Sequence, residues 1–181
     1  MKDLTPLCSL TPRCSNHDER PAGECVRLIV VHAISLPPDE FGGPGVEQLF
    51  TNTLDPDAHP YYATIHHLRV SAHYFIRRDG QLLCFVDPDR RAWHAGVSCW
   101  NGRERCNDFS IGIELEGCDT MPFEPAQYER LAALIVALER RYPIEAVVGH
   151  SDIAPGRKTD PGPFFDWKRL DALREQRRAS C

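Results

Sequence analysis

Two histidines and one aspartate, His32, His150 and Asp160, are the side chains of this sequence best suited to hold a metal ion. His32 follows the apolar run Val26-Arg27-Leu28-Ile29-Val30-Val31, and His150 follows a second run that ends at Val148-Gly149. Each is therefore expected just past the end of a buried strand, where a rigid sheet can hold a functional group in fixed geometry. Asp160 lies in the loop after His150. Zinc hydrolases commonly use three imidazole or carboxylate ligands and leave a fourth position for water, and this set meets that requirement. Spacing alone is not specific, because the three lie far apart in sequence. Either histidine by itself reads as readily as a structural or surface residue.

Glu114 adds a second functional group. The stretch from Phe109 to Glu116 alternates, placing Phe109, Ile111, Ile113 and Leu115 on one face. Ser110, Gly112, Glu114 and Glu116 share the other. In a central strand, Gly112 beside Glu114 is expected to leave an open floor for a ligand. A carboxylate there could take a proton from an attacking water and pass it to a leaving amine. In an edge strand the same carboxylates would simply face water. Glu116 reads as structural.

Lys158, two positions before Asp160, would point to the same side in an extended segment and could stabilise an oxyanion. On the residues alone, an exposed loop lysine is the reading that normally prevails. His59, His66, His67, His73 and His94 are alternative ligands. Of these, His73 opens an apolar strand and suits a packed position, while His94, between Trp93 and Gly96, suits a pocket wall. Gly42-Gly43-Pro44-Gly45 has no Gly-Lys-Ser after it and makes no phosphate loop.

The elements that must position these groups can be placed from periodicity. A short helix is expected around Val46 to Phe50, then a long loop from Asp55 to Arg69 with one helical turn. Two short strands, Ala72 to Arg77 and Gln81 to Val86, flank Asp79-Gly80, which is a hairpin signal. The clearest helix opens at Pro125, runs to about Arg141 and is stopped by Pro143. Its stripe is Tyr128, Leu131, Leu134, Ile135 and Leu138. A last strand covers Ile144 to Val148, and an amphipathic helix begins near Asp166. The pattern is one α/β (α+β) domain with a mixed central sheet flanked by helices, and shows no internal repeat.

The length of 181 residues suits a single domain with its own core. A formal net charge of −5 argues against a nucleic-acid partner. The basic cluster Lys168, Arg169, Arg174, Arg177 and Arg178 reads as a solvated helix face rather than a contact for an anionic partner. The eight cysteines contain no C-x-x-C pair. The N-terminus lacks the apolar core of an export signal, and no run approaches the roughly 20 apolar residues of a membrane span. The expectation is a cytoplasmic monomer that contacts no membrane, with reduced structural cysteines favoured over disulfides.

Longer stretches carry a resemblance. Val30-Val31-His32 with Ile34 to Pro38, Glu40 to Pro44, Leu68 to His73, Arg91 to Ser98, Gly102 to Asp108, Phe109 to Gly117 and Arg157 to Pro163 closely resemble the AmpD family. These are cytoplasmic 1,6-anhydro-N-acetylmuramyl-L-alanine amidases of Gram-negative bacteria. Their superfamily shares its fold with peptidoglycan recognition proteins and T7-type lysozyme. The resemblance implies an irregular arm over 1–25, a zinc amidase domain over 26–175 and a tail over 176–181.

It also implies Zn2+ as cofactor, held by His32, His150 and Asp160, with Glu114 and Lys158 as catalytic groups. Tyr61, Arg69, Trp93, Arg105 and Ala154 match positions that line the substrate cleft. The implied substrates are small glycopeptides, anhydro-muropeptides, cut between the lactyl group of the anhydro sugar and L-alanine. Ala33 departs from the asparagine that relatives often carry. The alternative is a non-catalytic peptidoglycan-fragment binding module of the same fold, which commonly lacks one ligand. A third reading, hydrolysis of intact wall, is opposed by the absence of an export signal.

Overall fold

The computed structural model describes residues 14–179. In chain order it has β1 (His17–Glu19), β2 (Leu28–Ile34), α1 (Gly45–Phe50), α2 (Pro60–Ile65), β3 (Tyr74–Ile76), β4 (Leu82–Cys84) and β5 (Arg90–Ala92). Then follow β6 (Cys99–Trp100), β7 (Arg103–Glu104), a 3-10 turn (Cys106–Asp108), β8 (Ser110–Glu116), α3 (Pro125–Glu139), β9 (Ala146–Gly149), α4 (His150–Ile153) and α5 (Trp167–Ala179). The main sheet has the order β4-β3-β8-β2-β9. β3, β8, β2 and β9 run parallel, and β4 returns antiparallel to β3 through the Asp79-Gly80 hairpin. The expected mixed sheet with flanking helices is the architecture found.

β2 and β8 are the two inner strands, and their alternation assigns the faces. Ile29, Val31, Ile111, Ile113 and Leu115 point to one side and pack under Tyr128, Leu131, Leu134, Ile135 and Leu138 of α3 and Leu170 of α5. Phe109 was expected on that side. It precedes the strand, with ψ at 14° rather than extended, and packs instead with Leu28 and Val30 on the opposite face. That face is covered in two patches, Val46, Leu49, Phe50 and Tyr62 over Phe75 and Leu83, and Ala95, Cys106, Phe109 and Ile153 over Leu28 and Val30.

Helix α3 starts where Pro125 pre-sets the first turn and Gln127 accepts the Glu124 N–H at 2.9 Å. Three basic residues of α5 face α3, where Arg174 and Arg178 pair with Glu139 and Arg177 with Glu129. Their partners are carboxylates of the same chain.

Three expectations change. β2 continues through His32 to Ile34, because its ladder with β8 extends through Ala33↔Leu115 and Ile34↔Glu116. His32 thus lies inside the strand rather than beyond it. Within the N-terminal segment, expected to be irregular, β1 pairs with β5 and Asn16 is buried, donating to the carbonyls of Phe50 and Val70; residues 1–13 lie outside the described residues. Cys84 is disulfide-bonded, while Cys14, Cys25, Cys99, Cys106 and Cys118 are free thiols. Sequence spacing carries no record of which thiols the fold brings together. No helix among the described residues is long and apolar enough to cross a membrane.

Behind the central strands, Arg20 donates to the carbonyls of Pro88, Asn107, Asp108 and Ser110. It therefore satisfies a loop that would otherwise carry unpaired acceptors. Burial brings this guanidinium down to about 10. His73, fully buried beside it, accepts the Gly112 N–H at Nδ1 at 3.0 Å, which leaves Nε2–H to face the Arg90 carbonyl at 3.1 Å. Burial, followed by the charge of Arg20, lowers His73 from 6.5 to about 3.

The folded protein thus keeps His73 neutral at a pH where the unfolded chain protonates it. Its contribution to stability is full above pH 6.5 and is lost at about 1.4 kcal/mol per pH unit down towards about 3. Chemical denaturation of the wild type and His73→Gln at pH 7 and pH 5 should show the wild-type advantage shrinking by about 2 kcal/mol at the lower pH. A pH-independent difference would contradict a neutral buried His73.

Candidate metal centre

Parallel pairing of β2 with β8 sets His32 directly beside Glu114, and partners in such a ladder project to the same face. His150 reaches that face from the next strand over, as the first residue of α4 after β9. Asp160 is returned to it by a tight loop in which the amides of Arg157 and Lys158 both donate to the Ala154 carbonyl. Its own carbonyl accepts the Ser151 N–H at 3.0 Å. A Cβ on Gly149 would come within 2.8 Å of Pro161, so the small residue before His150 lets this loop close.

The result is a tight triangle. His32 Nδ1 and His150 Nδ1 are 3.0 Å apart, and each lies 3.1 Å from Asp160 Oδ2. His150 Nε2 faces the Ala95 carbonyl at 3.2 Å and must carry a proton to bond it, which leaves Nδ1 bare. Lone-pair donors brought this close repel one another unless a cation stands among them. Two imidazoles with one carboxylate are a nitrogen-and-oxygen donor set of the kind zinc takes. The residues therefore fit a metal ion, and they form a His-His-Asp group able to hold one.

The electrostatics agree. Burial opposes charge on Asp160, but the His150 and His32 rings set against its Oδ2 overcome it and hold the carboxyl far below its ordinary range. Burial lowers His32 to about 4 despite the pull of Asp160, so its ring is neutral and free to ligate near pH 7. Glu114 moves the other way. Burial first, then the charge of Asp160, raises it well above 4.5, with Lys158 opposing. Its Oε2 is buried and has no hydrogen-bond partner.

A cavity of about 520 Å³ opens over this group. His32, Glu114, His150, Lys158 and Asp160 line it, together with Tyr61 and Trp93. Arg69 does not: its guanidinium turns back onto the carbonyls of His66, His67 and Leu68. Arg105 and Ala154 line a separate depression with Val97 and Arg157. Among the alternative ligands, His59 caps α2 and His66 and His67 are exposed.

His94 stands beside the triangle, its Nδ1 2.9 Å from His32 Nε2, and its ring fills the space above Gly112. Gly112 is therefore not the open floor for a ligand that the sequence suggested: a Cβ there would meet the His94 ring at 2.4 Å. Cys118 and Asp119, which also line the cavity, follow the end of β8 and carry no sequence signal that would have singled them out.

The model of the N-acetylmuramoyl-L-alanine amidase family matches residues 22–163. The 1,6-anhydro-N-acetylmuramyl-L-alanine amidase AmpD of Enterobacter cloacae is 62% identical over 160 residues, covering 87% of this chain and 86% of that protein. The AmpD of Escherichia coli is 61% identical over 160 residues, covering 87% of each. Among solved structures, a selenomethionine derivative of AmpD is 61% identical with a TM-score of 0.88, covering 90% of this chain and 92% of its own. The amidase AmiD from Escherichia coli, solved with the substrate anhydro-N-acetylmuramic acid-L-Ala-D-γ-Glu-L-Lys, is 33% identical with a TM-score of 0.62. That match covers 86% of this chain and 60% of AmiD.

Because Gly112 has ordinary backbone angles, Gly112→Ala tests the fit of the His94 ring alone. Overpacking of this kind costs about 1–3 kcal/mol. Urea denaturation should show that loss, and wild-type stability would mean the ring has room to spare.

Proposed function

The chain belongs to the N-acetylmuramoyl-L-alanine amidase family, and on that premise we propose that it is a zinc-dependent 1,6-anhydro-N-acetylmuramyl-L-alanine amidase. Its substrates are anhydro-muropeptides, and the bond it cuts joins the anhydro sugar's lactyl group to L-alanine. The observation that carries this reading is a His-His-Asp triangle and an unpartnered buried Glu114 on one wall of a single cavity. High identity to named AmpD amidases supports the substrate class.

His32, His150 and Asp160 would hold the zinc. Zinc bound there supplies Lewis-acid polarisation of the scissile carbonyl and of the attacking water. Glu114 Oε2 accepts the proton of that water and delivers it to the alanine nitrogen as the amide bond breaks. A carboxylate raised from its ordinary range towards neutrality is better matched to both transfers. The Lys158 ammonium, on the cavity rim, offsets negative charge on the carbonyl oxygen.

Tyr61 and Trp93 offer aromatic surface to the sugar and the first peptide residues. Arg69, folded onto the carbonyls of its own loop, and Arg105, in a separate depression, stand off this cavity and have no assigned part in this reading. A binding module has no use for a buried proton-transfer group, so Glu114 favours the enzyme over that alternative. We place the enzyme in the cytoplasm, as a monomer, on family likeness; the disulfide at Cys84 is a feature more usual in oxidising compartments.

Mass spectrometry after incubation with an anhydro-muropeptide should show free stem peptide and free anhydro sugar. A chelator should abolish both products, and the non-anhydro counterpart reports how strictly the sugar is read. An intact substrate in the presence of zinc would overturn the assignment. Asp160→Ala should lose bound zinc together with activity. Glu114→Gln should retain zinc while kcat falls by about 100-fold or more. A Glu114→Gln enzyme with unchanged turnover removes this residue from the chemistry.

A further inference from the structure

We propose that His94 is a positioning residue, fixing the tautomer of His32 so that Nδ1 is the bare nitrogen facing His150 and Asp160. The inference rests on the reading of those three residues as a metal site. It follows from counting protons along a chain of contacts behind the site.

Ser110 Oγ lies 2.5 Å from the Cys106 carbonyl, and a carbonyl cannot donate, so the single hydroxyl proton is spent there. Towards His94 Nε2, at 3.2 Å, the same oxygen can only accept. His94 therefore carries its proton on Nε2. No carboxylate is among the hydrogen-bond partners of the ring, which carries this one proton alone. Its Nδ1 is thus a lone pair. That lone pair faces His32 Nε2 at 2.9 Å, and a hydrogen bond there requires the proton of His32 to sit on Nε2. The other nitrogen of His32 is left bare.

The neighbouring residue treats the second imidazole alike, for the Ala95 carbonyl accepts Nε2–H of His150. Asn107 Oδ1 holds the two-residue segment in place by accepting the N–H of both His94 and Ala95, at 3.1 and 2.8 Å. Outer partners of this kind commonly decide 10–100-fold in metal affinity.

The full-length protein provides the test. In the metal-free wild type, long-range proton–nitrogen NMR of the imidazoles should find both His32 and His94 protonated on Nε2. Zinc affinity, read by competition with a chromophoric chelator, should fall about 10–100-fold in His94→Leu. His94→Asn, which can place an oxygen acceptor where Nδ1 was, should recover most of that loss, whereas a merely space-filling role would favour leucine.

A wild-type His32 protonated on Nδ1, or wild-type zinc affinity in His94→Leu, overturns the proposal. Should His94→Leu fail to fold, Ser110→Ala decides. Releasing the proton of His94 from Nε2 should then yield a mixture of His32 tautomers, and an unchanged single tautomer counts against the relay. Stated tautomers in a wild type that binds no zinc would support this proposal and overturn the metal reading instead.

Discussion

Everything at this site depends on one ladder, the parallel pairing of β2 with β8. Its register puts an imidazole and a carboxylate side by side on one buried sheet face. Buried polar groups are costly unless they are paired, and the surrounding structure is organised around that cost. His32 is paired behind by His94, while its Nδ1 faces His150 and Asp160 in front. Glu116, two residues beyond Glu114 on the same face, accepts the N–H groups of Gly42 and Arg78. Glu114 Oε2 alone in this row is left without a partner. A fold that spends so many hydrogen bonds on its neighbours leaves that oxygen poised rather than merely overlooked.

Two carboxylates close enough to feel each other are driven apart in protonation by what touches them. Asp160 has two imidazoles on one oxygen and stays ionised. Glu114 has burial, the charge of Asp160 and only an opposing lysine, and tends to hold its proton. The pair thus separates into a fixed anion that can ligate and a carboxyl group raised from its ordinary range that can exchange a proton, the division of labour that hydrolysis demands.

The fold was largely legible because its signals are periodic. Alternation in Ile111, Ile113 and Leu115, the stripe on α3 and the Asp79-Gly80 turn all report local backbone geometry. The ligand set was legible only in part, because no periodicity links His32, His150 and Asp160; the family resemblance joined them before the fold did. His94 was read as a pocket wall, where it does stand, and also as a rival ligand, while Gly112 was read as an open floor. Their true relation, a ring seated over a missing Cβ, is a contact between a loop and a strand. Sequence spacing holds no trace of it. Arg20 escaped notice for a similar cause: a guanidinium bound by carbonyls has no acidic partner to betray it.

That arginine has a consequence for how the molecule opens. It joins the segment at β1 to the turn before β5, to the 3-10 turn whose Asn107 holds His94 in place, and to the first residue of β8, across a long stretch of chain. Releasing either side strands acceptors in the interior, so neither can fray independently at low cost. The N-terminal strand and the wall of the candidate metal site are therefore expected to open together in hydrogen exchange, as one cooperative unit. A terminal segment that touches no substrate is in this way part of what keeps the centre closed to disorder.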